Sequence, residues 1–148
     1  MPRIITLSLS LLLLLNPPVV AQSAEDINLR LNPGGHTALI RKLLVTPQGQ
    51  VVTASQDKTI RIWDVKQGQL KERRKILGQI GDESAGKIYA IALSPDGSLL
   101  ASGGYLDQPG VGGGGQIRLH DFKTGELKTL LKGHENVLYD LAFSPNGQ

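Results

Sequence analysis

The chain has 148 residues, room for one ordinary domain, with 18 glycines, aromatics at only 4% and a formal charge of +3. It contains no cysteine, which excludes disulfides and thiolate metal sites. So mild a charge gives no case for a nucleic-acid or anionic-membrane partner.

Residues 1–21 read as a secretory signal. Arg3 supplies the positive start, IITLSLSLLLLL at 4–15 the apolar middle, and NPPVVA a helix break followed by small residues. Cleavage is expected after Ala21, with Ser23 as the alternative. The apolar run falls short of the ~20 residues that span a bilayer, so no membrane insertion is expected after removal; an uncleaved anchor is the competing reading. No cysteine follows the run, which excludes a lipoprotein anchor. Losing Arg3 leaves 15 basic against 13 acidic residues, a nearly neutral exported chain. The expected location is extracytoplasmic, either periplasmic or secreted.

Residues 22–34 form a leader in which INLRL at 27–31 alternates apolar and polar, a strand ahead of Asn-Pro-Gly-Gly. Beyond it the chain answers itself. VTPQGQVVTAS at 45–55, LSPDGSLLASG at 93–103 and FSPNGQ at 143–148 share Ser or Thr, Pro, a polar residue and Gly. Pro47, Pro95 and Pro145 fall 48 and 50 residues apart, a period to be read before anything else. An apolar segment precedes each turn: 38–45, 87–94 and 136–144. TIRIWDV at 59–65 and QIRLHDF at 116–122 follow the first two, and each ends in a Lys-x-Gly turn, at Gly68 and Gly125.

Local chemistry makes these segments strands. IRIWDV and IRLHDF alternate with period two, so one face can be buried. In Pro95-Asp96-Gly97 the proline presets φ, the Asp side chain bonds the local backbone, and the glycine permits positive φ. Each period therefore holds four short antiparallel strands, and an all-β fold of propeller blades follows. The divisions are 35–82, 83–132 and 133–148.

With those residues in place, the mature chain resembles the WD-repeat family of β-propellers over nearly all of 27–148. Gly35-His36, TASQDKTIRIWD at 53–64 and Gly133-His134 carry the resemblance; Gly-His, 26 intervening residues, then Trp63-Asp64 is its specific part. It implies that His36, Thr53, Asp57 and Trp63 form a hydrogen-bonded set. Asp57, in the turn between the second and third strands, would orient the imidazole. The other ring nitrogen would reach the Thr53 hydroxyl, and that hydroxyl the indole N–H. Ser55 is the weaker candidate for the hydroxyl role. It also implies that INLRL closes the ring by completing the last blade.

The second repeat departs from this pattern. Ser84 stands where His36 would be matched and His120 where Trp63 would be. Ser102 keeps the hydroxyl, and YLDQPGVGGGGQ at 105–116 replaces the Asp-bearing turn. This blade is expected to rely on apolar packing of Ile88, Ile91, Leu93, Leu100, Ile117 and Leu119.

PGVGGGG at 109–115 lacks the Gly-Lys-Ser/Thr of a phosphate cradle and reads as a hairpin tip. KERRK at 71–75 lacks interleaved aromatics; it reads as an outer strand whose charges discourage foreign pairing. The three histidines show no metal-ligand spacing, and no nucleophile-and-base motif is present. No catalytic, cofactor-binding or metal residue is assigned, and no cofactor is expected.

GHENVLYDLAFSPNGQ at 133–148 starts a third repeat, with a first strand at about 137–143 and then the Pro-Asn-Gly turn. Propellers need ~4–8 blades, so the ring is incomplete in this chain. The expectation is the N-terminal part of a longer protein; self-assembly into a ring is the alternative if the chain is complete. The functional expectation is an exported, non-catalytic scaffold for protein partners, with no nucleic-acid partner. The alternative is the propeller portion of a larger extracytoplasmic enzyme, for example a protease or hydrolase, with its catalytic domain beyond residue 148.

Overall fold

The computed structural model describes residues 34–81, 83–106 and 115–147. The expected signal, INLRL and most of the glycine segment lie outside these residues. Eight strands follow in chain order: β1 Ile40–Val45, β2 Val51–Ser55, β3 Thr59–Lys66, β4 Gln69–Leu77, β5 Lys87–Leu93, β6 Leu99–Tyr105, β7 Gly115–Asp121 and β8 Leu127–His134. They make two antiparallel sheets, β1-β2-β3-β4 and β5-β6-β7-β8, each in sequence order. No helix occurs among the described residues.

The turns form where their chemistry dictates. Gly49, Gly97 and Gly147 all have positive φ, between 72° and 80°. Their N–H groups donate to the carbonyls of Thr46, Ser94 and Ser144 at 2.8–2.9 Å. In the second turn the Ser94 hydroxyl also accepts the Leu99 N–H at 2.9 Å and donates to Asp96 at 2.5 Å. The same turn thus recurs three times, and its first two copies join β1 to β2 and β5 to β6.

Pairing fixes which side chains share a face. Val52 lies opposite Ile62 and Ala54 opposite Ile60; with Ile76 they bury against Ile88, Ile91 and Leu100 of the second sheet. Burying a side chain of this size contributes ~1.5–3 kcal/mol, so this seam is the main apolar store of the described chain. The other face of β2 and β3 carries Thr53 opposite Arg61 and Val51 opposite Trp63. Each sheet is irregular at matched places: at Ile40/Lys42 and Ile88/Ala90 in the first strands, and at Ile62/Trp63 and Leu119/His120 in the third. β4, bearing KERRK, is the outer strand of its sheet.

Two expectations need correction. Ile117, Leu119 and Leu93 are half-buried rather than core residues. Leu93 still packs against the seam cluster. Leu119 pairs with Ala101, on the side of the second sheet away from the seam. There Leu138 and Leu141 lie over Gly103, at 3.0–3.2 Å from where its Cβ would stand, and cover the face only in part. Residues 137–143 are not assigned as a strand; the Leu138 N–H donates to the Gly104 carbonyl at 3.3 Å, but a strand needs a continuous ladder, and among the described residues this segment makes none. Gly133 and His134 end β8, where His134 faces Gly115.

Candidate functional site

The densest polar cluster sits where the loop before β1 meets the β2–β3 turn. Asp57 suits that turn because its carboxylate accepts a backbone N–H from within the turn and another from the loop before β1. Oδ1 takes the Thr59 N–H at 3.0 Å and the Thr59 hydroxyl at 2.6 Å. Oδ2 takes His36 Nδ1 at 2.8 Å and the Thr37 N–H at 3.1 Å. Burial would raise this carboxyl's pKa, but the bonds from Thr59, His36 and Thr37 outweigh it and hold it below the ordinary carboxylate range.

The remaining contacts have only one consistent direction when the ring is neutral. The ionised Asp57 can only accept, so His36 Nδ1 carries the proton. Nε2 is then a lone pair and accepts the Thr53 hydroxyl at 2.7 Å. The Thr53 oxygen in turn accepts the Trp63 indole N–H at 2.8 Å. The side chains of His36 and Asp57 are only 3% and 5% exposed, and Thr53 and Trp63 are buried. His36 also meets the Trp63 ring edge-on, with centroids 6.3 Å apart. The structure therefore brings His36, Thr53, Asp57 and Trp63 into one continuous set. Ser55 stands apart from it: its hydroxyl donates to the Ala38 carbonyl at 3.1 Å and accepts the Asp57 N–H at 3.0 Å.

Chemically this set is closed. Carboxylate, imidazole and hydroxyl stand in the order of a nucleophilic triad, yet a triad is recognised by geometry and access. The Thr53 oxygen is capped by an indole and the residue is only 5% exposed, so the hydroxyl has no approach for a substrate. Arg61 extends the cluster. It pairs with Glu72 across β3 and β4 and lies over the Trp63 ring at 5.9 Å. Sequence reasoning missed Thr59, Arg61 and Glu72; an Arg at the alternate position before Trp63 was the available signal.

Among the described residues the second sheet shows no such set; 107–114, which join β6 to β7, lie outside them. His120 pairs with Leu100 and is 4% exposed, and among the described residues its Nδ1 has no hydrogen-bond partner. Burial pushes its pKa down, helped by the Arg118 charge and opposed by the Gly125 backbone. Ser84 instead accepts the Lys87 ammonium at 3.3 Å. His134 is exposed on β8, and at the His36 spacing the counterparts of Thr53 and Asp57 fall past residue 148. Among the described residues no three His, Cys, Asp or Glu side chains group as metal ligands, and no helix is long and apolar enough to cross a membrane.

Known proteins give the geometry a context. The family model described as "WD domain, G-beta repeat" matches residues 29–64, 74–121 and 125–148. The second match begins within β4 and ends with β7, so the sequence repeat is offset by one strand from the sheet. The chain is 33% identical over 133 residues to the nuclear distribution protein PAC1 of Coccidioides posadasii (strain C735), covering 83% of this chain and 25% of that protein. It is 31% identical over 114 residues to the small ribosomal subunit protein RACK1 of Caenorhabditis elegans, covering 75% and 30%. The crystal structure of the RRP9 WD40 repeats superposes with a TM-score of 0.59 at 26% identity, over 74% of this chain and 30% of that one. The chain thus spans less than a third of the length of each of these proteins.

Proposed function

The chain belongs to the WD-repeat family, and on that premise we propose that it is part of an exported, non-catalytic propeller that serves as a rigid scaffold for protein partners. The carrying observation is the closed polar set. Every strong donor and acceptor of His36, Asp57, Thr53 and Trp63 is spent inside one sheet, so the cluster stiffens a platform and leaves no group for chemistry. A fold alone assigns no function; the buried, capped Thr53 supports a structural role for this cluster over a catalytic one. The export half of the reading rests on residues 1–23, with Arg3, the apolar run at 4–15 and cleavage after Ala21.

The test is to isolate the protein from its native source, read its N-terminus and identify what co-purifies in stoichiometric amount. A terminus at Gln22 and one stoichiometric protein companion are expected. A terminus still at Met1 overturns export. Absence of any stoichiometric protein companion overturns the scaffold, and a hydrolytic activity that maps to a domain beyond Gln148 replaces it with the multidomain enzyme.

A further inference from the structure

A groove opens along the seam of the two sheets, on the side of the Pro-x-Gly turns. Its floor is apolar, made by Ile62 and Phe122, and its walls carry Arg73, Arg74 and Lys123 against a single carboxylate, Asp64. That carboxylate is already engaged. The Gln50 amide donates to it at 2.8 Å, and this bond, with Arg73 nearby, holds its pKa below the ordinary range. Arg73 reaches it only at 3.5 Å and leaves 61% of its side chain exposed. Arg74 donates instead to the Lys123 backbone carbonyl, a contact that carries its charge across the seam. Among the described residues neither Arg74 nor Lys123 has a carboxylate partner.

We infer that this groove is the docking surface for an acidic, extended segment of a partner protein. The inference rests on the scaffold reading and names the face that the scaffold would use. Two positive charges remain in excess along the walls, so carboxylates entering the groove meet unpaired cations. The apolar floor takes a hydrophobic side chain between them, and Gln48, which also lines the groove, can bond a peptide backbone. Charge complementarity of this kind sets specificity and association rate. A polyphosphate chain fits less well, because the ionised Asp64 sits within the groove and repels a continuous run of anions.

The experiment is a fluorescence-anisotropy titration of the full chain with a short fluorescein-labelled peptide of glutamates flanking one leucine. Arg73→Glu/Lys123→Glu reverses two exposed wall charges, and unchanged Trp63 emission verifies its fold. Binding by the wild type and a loss of roughly tenfold or more in affinity in this variant are expected. Lys132→Glu, which changes an exposed charge that does not line the groove, should bind like the wild type. Equal weakening by Lys132→Glu shows general charge attraction and overturns the inference. So does an unlabelled polyuridine that binds more tightly than the peptide, which makes the surface a nucleic-acid one. The native companion separates the two readings: retained by both wild type and Arg73→Glu/Lys123→Glu, it leaves the scaffold standing and sinks the groove. No companion on the wild type sinks the scaffold, and the peptide titration still decides the groove.

Discussion

Replacing Thr53 by Val tests the polar set at its hub. Valine keeps the branched shape and the strand preference of the site, so it opens almost no cavity. What disappears is one hydroxyl, which joins His36 Nε2 at 2.7 Å to Trp63 Nε1 at 2.8 Å. Both neighbours stay buried and lose their partner. An orphaned buried donor or acceptor costs about 1–3 kcal/mol, so two of them, partly relieved by relaxation, should cost roughly 2–4 kcal/mol. Thr53→Ser is the control: it keeps the hydroxyl and loses one methyl, about 1 kcal/mol. The assay is urea unfolding of the full chain followed by tryptophan emission, which reports this site alone because the sequence has a single tryptophan. The refuting result is a Thr53→Val loss below ~0.5 kcal/mol, or a Ser variant less stable than the Val variant. Either would mean the hydroxyl is not the junction the distances describe.

Trp63→Ala should cost about 3–5 kcal/mol as the loss of a buried aromatic, read by far-ultraviolet circular dichroism during unfolding; a shift under ~0.5 kcal/mol would make it a surface residue. Gly104→Ala should destabilise by about 1–3 kcal/mol, because its Cβ would stand 2.2 Å from the Lys87 carbonyl oxygen beside the β5 irregularity; an unchanged melting temperature would show that β5 and β6 can move apart freely. His120 gives a pH signature. Its folded pKa lies below the ordinary histidine value of 6.5, so as pH falls through that value the unfolded chain takes a proton that the fold refuses, and stability declines until the folded pKa is passed. His120→Leu should remove this component, and its denaturant midpoint should fall less than that of the wild type between about pH 7 and about pH 5; parallel profiles would place His120 in water.

Much of this was legible locally. Pro95-Asp96-Gly97 and its two relatives specify their turns from nearest neighbours alone, and IRIWDV states by its period that Ile60 and Ile62 share one face. The partners of His36 were reachable only through a family likeness, since Thr53, Asp57 and Thr59 lie 17 to 23 residues away and nothing in their spacing gives an angle. Gly133-His134 repeats the letters of Gly35-His36 but ends a strand, because a residue's place in a ladder depends on what lies beside it. The same holds for Ile117 and Leu119, whose period announces a buried face but not whether that face is covered.

The sequence by itself determined the strand order, the turns and the pairing of alternate residues, since sterics, proline and glycine act over a few bonds. Tertiary structure decided which face of each sheet meets the other. It turned Arg118 and His120 toward β4, gathered Arg73, Arg74 and Lys123 along one groove, and left Leu43 and Val45 56% and 62% exposed. A period of two offers two equivalent faces, and only contact between the sheets breaks that tie.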